Sequence, residues 1–212
     1  KADGTLNKQV FVGDISIIDP NLIFTASGEI DLAEDRKAFN MLADLERVDL
    51  QALKLTQEPL IISAEANLNF KGLKLDDFEG TAQFDSAYVS YKGNRLPIDS
   101  ILIRSAITPD ERQLYLSSDL LALRMNGNFD YTTLIADLKE LVEEYKLNFE
   151  SNQPATTAYY NRKRSGPIND YEVNYTIDLK QANPLLDLFL PQLTISNNAT
   201  VEGSFRHSAT AI

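Results

Sequence analysis

The stretch LIFTASGEIDLA (22–33) alternates between apolar or small residues and mostly polar ones, with a period of two. Its apolar side consists of Leu22, Phe24, Ala26, Gly28, Ile30 and Leu32. Successive side chains of a β-strand point to opposite faces of a sheet, so this period indicates a strand with one apolar face. The stretch is long for a strand, because strands most often have about five or six residues.

The same alternation recurs along most of the chain. It is found at 9–18, 39–45, 60–72, 78–91, 98–107, 113–118, 121–131, 171–179 and 199–207. Turn residues such as Asp19-Pro20-Asn21 and Lys92-Gly93-Asn94 separate these segments. Because the connections are short, we expect most neighbouring strands to pair antiparallel. The segment 34–54 also allows a helical interpretation, but its residues 39–45 favour a strand.

Glycines lie on the apolar side of several predicted strands. They are Gly13, Gly28, Gly72, Gly80, Gly127 and Gly203. Glycine is unfavourable inside a strand, but it lets a sheet bend or another backbone approach closely. The pattern therefore allows two mainly β folds: a long, curved antiparallel sheet of taco or gutter shape around an apolar groove, or a β-sandwich whose inner faces pack around small residues.

Two segments have helical spacing instead. Residues 132–147 carry apolar side chains on one face, and Thr132 or Thr133 can cap this amphipathic helix. Asn183 and Pro184 are typical of the start of a second, short helix.

The helices suggest a division of the chain into three parts. We predict a curved sheet over 1–150 that ends in the helix 132–147, a flexible loop over 151–170, and further strands with a short helix over 171–212. The last part is expected to continue the same sheet.

Composition excludes several classes of function. The 212 residues carry a formal net charge of −11, which argues against nucleic acid as a partner. The chain has no cysteine, so thiol catalysis and cysteine-based zinc sites are excluded. It has neither a run of about 20 apolar residues nor a signal peptide. Because the chain starts without Met and ends within a strand pattern, we interpret it as a fragment or a processed portion.

The residues offer little for catalysis. His207 is the only histidine, and no GxSxG motif accompanies it. Most acidic pairs, such as Asp76-Asp77, lie at predicted turns, where solvated carboxylates are common. We therefore predict a non-enzymatic protein without catalytic residues, metal or cofactor. The one basic cluster, Arg162-Lys163-Arg164, can contact lipid headgroups, although such a cluster is more often a solvated loop.

Several segments resemble a known family. LIFTASGEIDLA (22–33), ANLNFKGLKLDDFEGTAQFDSAYVSY (66–91) and SDLLALRMNGNFDYTTLIADLKELVEEY (118–145) look like the repeated strand units of the TamB/AsmA-like family. NPLLDLFLPQLTISNNATVEGSFRH (183–207) repeats the theme with the helix first. The resemblance covers most of the chain and is weakest at 151–170. It rests on patterns of strand and turn.

This resemblance implies a function and a location. It implies a conduit or chaperone in the periplasm of a Gram-negative cell, with the parent protein anchored in the inner membrane. The cargo would be phospholipid acyl chains or unfolded outer-membrane protein strands, and an outer-membrane β-barrel is an expected partner of other parts of the parent. The predicted groove lining is Phe24, Ala26, Gly28, Ile30, Leu123, Met125, Gly127, Phe129, Tyr131, Val201 and Phe205. The alternative is a structural β-scaffold that binds a partner by strand addition.

Overall fold

A computed structural model of the protein describes residues 1–33, 36–150, 170–189 and 192–207. Its elements are β1 (Ala2–Asn7), β2 (Val10–Asp19), β3 (Leu22–Ala33), β4 (Arg36–Asp49), β5 (Leu60–Lys71), β6 (Glu79–Tyr91), β7 (Asn94–Ile107), β8 (Arg112–Ser118), β9 (Leu121–Gly127), α1 (Tyr131–Glu150), β10 (Tyr171–Leu179), α2 (Asn183–Phe189) and β11 (Ala199–His207), with a 3₁₀ turn at Leu75–Asp77 between β5 and β6. The predicted loop 151–170 lies, except for Asp170, outside the described residues.

The strands form one sheet in which spatial order follows chain order from β1 to β11. Every neighbouring pair is antiparallel, as the short connections predict. The ambiguous segment 34–54 supplies strand β4. Strands β10 and β11 extend the sheet beyond β9, so the residues on both sides of 151–170 belong to the same sheet.

The sheet is open, curved and single-layered, which confirms the predicted long, curved antiparallel sheet. The apolar groove predicted with it stays a prediction. The alternative, a β-sandwich, is wrong. The buried apolar clusters combine neighbouring strands with each other or with a helix, and none of them joins the β2–β4 region to the β8–β11 region. A sandwich would require two sheets whose inner faces pack against each other.

Irregular pairings lie side by side across the middle of the sheet. The register shifts between Leu45 and Val48 in the β4–β5 pair and between Ser63 and Glu65 in the β5–β6 pair. In the β6–β7 pair Ser86 has no partner, and its φ is +51°. A β-bulge bends its strand and increases the local twist. The row of bulges therefore contributes to the curvature, which the glycines alone were expected to explain.

Helix α1 starts one residue before the predicted helix 132–147, and its cap differs from the prediction. Neither Thr132 nor Thr133 caps the helix with its own hydroxyl. Instead, the carboxylate of Asp76, in the 3₁₀ turn, accepts hydrogen bonds from the Thr132 backbone N–H (3.0 Å) and hydroxyl. A remote carboxylate thus satisfies one of the free N–H groups at the helix start.

Helix α2 forms where the sequence predicts it, but the side chain of Asn183 bonds the connection after the helix. Its side-chain amide bonds the backbone N–H (3.0 Å) and carbonyl (2.9 Å) of Ile195, so it fixes the connection that leads to β11. The carbonyl of Ala182 accepts the bonds from Leu185 and Leu186 that open the helix. Among the described residues, neither helix combines the length and the apolar character needed to cross a membrane.

Candidate functional site: a continuous apolar face

One register line crosses all eleven strands on the same face of the sheet. Its members are Gly4, Gly13, Gly28, Met41, Leu68, Ala82, Ile103, Leu116, Leu123, Ile177 and Val201. Directly opposed residues of antiparallel strands lie on one face, so these side chains share a surface. With a strand spacing of about 4.8 Å, the line is about 50 Å long.

The next line belongs to the other face and is polar. From β2 to β11 it runs through Val12, Glu29, Asn40, Asn69, Thr81, Arg104, Tyr115, Arg124, Thr176 and Glu202. We call the two surfaces the apolar face and the polar face. The contrast between them is the alternation of the sequence carried across the whole sheet.

The apolar face over β2–β6 is packed although no second layer covers it. Met41 and Ala26 are only 6% and 5% exposed. They contact larger side chains of the same face, including Phe24, Phe39 and Leu45. In a flat single layer Met41 and Ala26 would be exposed to water. Their low exposure therefore indicates that the larger side chains of the same face cover them.

Over β6–β11 the helices cover the two ends of the apolar face. Leu188 of α2 packs against Leu96 and Ile98 of β7 at one end. At the other end, Leu134 of α1 packs in the cluster that contains Val173 of β10. Between these clusters Ile103, Leu116 and Leu123 belong to neither and are partly exposed. A strip of apolar face therefore stays accessible between the helices.

Most of the predicted lining residues lie on the apolar face. Phe24, Ala26, Gly28 and Ile30 occupy it in β3, and Leu123, Met125 and Gly127 occupy it in β9. Val201 and Phe205 occupy it in β11. The structure thus places nine of the predicted residues on one surface, at three separate positions along it.

The prediction for Phe129 and Tyr131 is wrong in its placement. Strand β9 ends at Gly127, so Phe129 lies in the connection and Tyr131 starts α1. Their rings pack edge to face, 5.5 Å apart, and are only 4% and 6% exposed. The Tyr131 hydroxyl bonds the buried Ser105 hydroxyl at 2.9 Å. Both rings belong to the buried cluster that contains Leu134 of α1 and Val173 of β10, so they help to hold the start of α1 on the sheet.

Gly28 and Gly127 contribute backbone conformation rather than surface. Their φ angles are +149° and +154°, a region that side-chain-bearing residues rarely adopt. A Cβ at Gly28 would overlap the carbonyl oxygen of Asn40 on β4, and one at Gly127 would overlap that of Glu172 on β10. These glycines are therefore required for close strand pairing on the apolar face.

Several residues of the apolar face were not among the predicted lining residues. The structure adds residues that lie on the same register line as the predicted Gly28, Leu123 and Val201. They are Met41, Leu68, Ile103, Leu116 and Ile177. The alternation in 39–45, 60–72, 98–107, 113–118 and 171–179 carried the signal. Only the register shows that all these segments present their apolar residues to the same side.

An open cleft of about 570 Å³ lies on the polar face over β2–β6. Its polar side chains are Asp14, Ser16, Thr25, Ser27, Asp44, Glu65, Asn67 and Asp85. Four of these are carboxylates, so the surface opposite the apolar face is acidic. Among the described residues, no group of three His, Cys, Asp or Glu side chains is arranged to hold a metal ion.

His207 takes part in a hydrogen-bonded group at one end of the sheet. The Asp137 carboxylate of α1 lies 2.7 Å from His207 Nδ1 and accepts a 2.6 Å hydrogen bond from the Tyr171 hydroxyl. Burial raises the pKa of Tyr171, and the bond to Asp137 and its negative charge raise it further. The group ties α1 to β10 and β11.

The predicted headgroup residues Arg162, Lys163 and Arg164 lie outside the described residues.

Comparison with known proteins gives no match: neither a family model, nor a curated protein, nor a solved structure is similar to the chain.

Proposed function

We propose that this chain is a non-enzymatic conduit or chaperone that uses its apolar face to shield phospholipid acyl chains from water. The observation that carries the proposal is the register line of apolar or small residues across all eleven strands. Such a face is unusual in a single-layered sheet, because an apolar surface normally packs against another element.

The physical reason is the cost of exposing apolar area. Each Å² of acyl chain removed from water contributes about 25 cal/mol. A face about 50 Å long offers this gain at successive positions, so a lipid can stay shielded while it moves. Apolar contact is also non-directional, which suits cargo with flexible chains.

The charge of the molecule favours acyl-chain contact over binding through an anionic headgroup. The polar face carries the carboxylates of the cleft, and the chain has a formal net charge of −11. Both repel phosphate groups at a distance. An extended apolar segment of an unfolded outer-membrane protein is the second cargo that this face suits.

The resemblance to the TamB/AsmA-like family supports a periplasmic location. We propose that the parent protein is anchored in the inner membrane and that parts beyond this chain contact an outer-membrane β-barrel. Cell fractionation of the parent protein tests this location. Recovery in the cytosolic fraction would contradict it.

The cargo is tested by purifying the chain from bacterial cells without detergent and quantifying extracted phospholipid by mass spectrometry. Ile17 and Val201 are 40% and 44% exposed on the apolar face, whereas Leu42 is 63% exposed on the polar face. We expect near-stoichiometric phospholipid in the wild type, a loss in Ile17→Asp and Val201→Asp, and retention in the matched control Leu42→Asp.

Since all three side chains are exposed, the substitutions should leave the fold intact, which circular dichroism checks. A folded wild type without phospholipid would overturn the acyl-chain proposal.

A second candidate is an interaction module that binds a partner by strand addition. The observation in its favour is that β1 and β11 each have only one neighbouring strand among the described residues. A free strand edge offers unpaired backbone groups to another chain. Binding of extended apolar peptides by a lipid-free protein would favour this candidate.

A further inference from the structure

The outer edge of β1 has a definite hydrogen-bonding pattern. The terminal amino group of Lys1 donates to the Ser16 carbonyl (2.6 Å), and the Ser16 N–H donates to the Lys1 carbonyl (2.8 Å). In an antiparallel pair such two-bond positions alternate along the strand. The N–H and C=O groups of Ala2, Gly4 and Leu6 therefore point away from β2.

The usual protection of an edge strand is missing from β1. Natural edges are blocked by proline, by bulges or by unpaired charges such as lysine. β1 has no proline, and its pairing with β2 is uninterrupted. Its one charged residue, Asp3, lies 3.6 Å from the Lys1 ammonium group just before the strand, so the two charges offset each other. All six residues are exposed, with Leu6 at 67%.

We propose that β1 pairs antiparallel with β1 of a second copy of this chain, around a two-fold axis at Gly4. In this register Gly4 faces Gly4 of the partner subunit and Leu6 faces Ala2 of the partner subunit. All three outward-pointing residues of each copy then exchange both bonds, which gives six N–H···O bonds. The exposed Leu6 side chain also covers the alanine opposite it on the apolar face.

Neighbouring registers are less favourable. A shift that centres the axis on Asp3 uses only Ala2 and Gly4 and brings two Asp3 carboxylates face to face, which is destabilising. If the two-fold axis lies at Thr5, only Gly4 and Leu6 of each copy form hydrogen bonds across the interface. The register at Gly4 is therefore selected by the number of bonds and by charge.

The pairing has a consequence for the apolar face. Opposed residues of antiparallel strands lie on one face, so the two apolar faces join on the same side. The combined sheet has twice the eleven strands and an apolar line of about 100 Å. Such a two-fold interface closes after two copies. The inference does not depend on whether the face binds lipid.

Sedimentation equilibrium of the purified chain tests the dimer, with Leu6→Pro as the disrupting variant. The Leu6 N–H points outward, so proline removes an intermolecular bond and leaves the β1–β2 ladder intact. Glu202→Pro on the opposite edge is the matched control. The Asn128 N–H donates to the Glu172 carbonyl (3.1 Å), so Glu172 bonds β9 and, by alternation, Ile177 bonds its partner Val201 on β11. The N–H of the next residue, Glu202, therefore points outward.

We expect wild type and Glu202→Pro to have twice the 23.7 kDa mass of one chain, and Leu6→Pro to have the mass of a single chain. A wild type that is monomeric at every concentration, or a dimer lost in Glu202→Pro but kept in Leu6→Pro, would overturn the proposal.

A cross-link tests the register and stays informative if Leu6→Pro fails to fold. The chain has no cysteine of its own. In the double variant Ala2→Cys, Leu6→Cys, each new thiol faces one of the partner subunit within the Cα separation of about 5.5 Å that a disulfide accepts. In Leu6→Cys alone the two thiols are about 14 Å apart. Mild oxidation should therefore link the double variant into dimers and leave the single variant as monomers, and equal linking of both would overturn the register.

Discussion

The Asp76 carboxylate caps a helix that starts 55 residues later in the chain, where it accepts a 3.0 Å hydrogen bond from the Thr132 N–H. Arg112 supports this contact: its guanidinium donates to the Asp76 carbonyl at 2.6 Å and lies over the Tyr131 ring at 4.8 Å. The turn between β5 and β6, strand β8 and the start of α1 are thus joined at one place. The end of the apolar face that α1 covers depends on this junction.

Replacing Asp76 by alanine should loosen the start of α1. Loss of a capping carboxylate costs about 0.5–2 kcal/mol. Urea unfolding should show this loss in the free energy of unfolding, and amide hydrogen exchange should be faster in the first turn of α1. The neighbouring Asp77 is exposed, so Asp77→Ala should change the free energy by no more than about 0.5 kcal/mol. Equal effects of the two substitutions would contradict the capping role.

The cap should also weaken in acid. Burial raises the pKa of Asp76, but the hydrogen bonds from Thr132 and the charge of Arg112 outweigh this effect and hold the pKa below its usual value. A carboxyl with a lowered pKa stabilises the fold above its unfolded pKa of about 3.9, and the stabilisation is lost as pH falls through the folded pKa. The difference in unfolding free energy between wild type and Asp76→Asn should therefore be largest near neutral pH and shrink below about pH 4. A difference that stays constant with pH would mean that the charge is not involved.

A methyl group at Gly28 should destabilise the sheet. The φ of +149° and the overlap with the Asn40 carbonyl both oppose a side chain there. A residue forced into such a backbone region costs about 1–3 kcal/mol. Urea unfolding of Gly28→Ala should show a loss of this size. Ser27→Ala, at the next residue and exposed on the polar face, should stay within about 0.5 kcal/mol of wild type.

The buried pair Ser105 and Tyr131 should show coupling in a double-mutant cycle. Tyr131→Phe leaves the Ser105 hydroxyl without its 2.9 Å partner in a buried place, which costs about 1–3 kcal/mol. Adding Ser105→Ala removes the unsatisfied hydroxyl, so the double variant should be more stable than the sum of the two single losses predicts. Strictly additive losses would show that the two hydroxyls do not interact.

Salt should have little effect on phospholipid retention if apolar contact holds the cargo. Screening shortens the reach of charges from about 10 Å at 0.1 M to about 3 Å at 1 M salt, whereas apolar burial does not depend on charge. Washing the detergent-free protein at high salt should therefore leave its phospholipid bound. Release in high salt would indicate that the headgroup is held by charge, for which Arg162, Lys163 and Arg164 are the first candidates.

Several features of the fold were predictable because they are local. The alternation in 22–32 and 171–179 indicates strands because the period of two is a property of the extended backbone. Helix α1 was predictable from the spacing of Leu134, Ile135 and Leu138 in the same way. The antiparallel order followed from the short connections, which give a chain little choice of neighbour.

Other features depend on contacts between distant segments. Alternation continues through Phe129 and Tyr131, but strand β9 stops at Gly127, and their rings pack in a buried cluster with Leu134 of α1. The short strand β1 carries little alternation, and it forms because β2 offers a free edge. The bulges around Ser86 leave no mark in an apolar–polar pattern, since they depend on how neighbouring strands pair.

The sequence by itself determined that this protein has long antiparallel strands, each with one apolar face, and two short helices. Its tertiary structure decided that all these faces lie on one side of a single curved sheet, that β1 and β11 are the edge strands of its described part, and that Asp76 holds the start of α1. The physical reason is that side-chain periodicity records which residues of a strand share a face. Whether a second layer covers that face depends on register, bulges and caps, which are set by contacts between residues far apart in the chain.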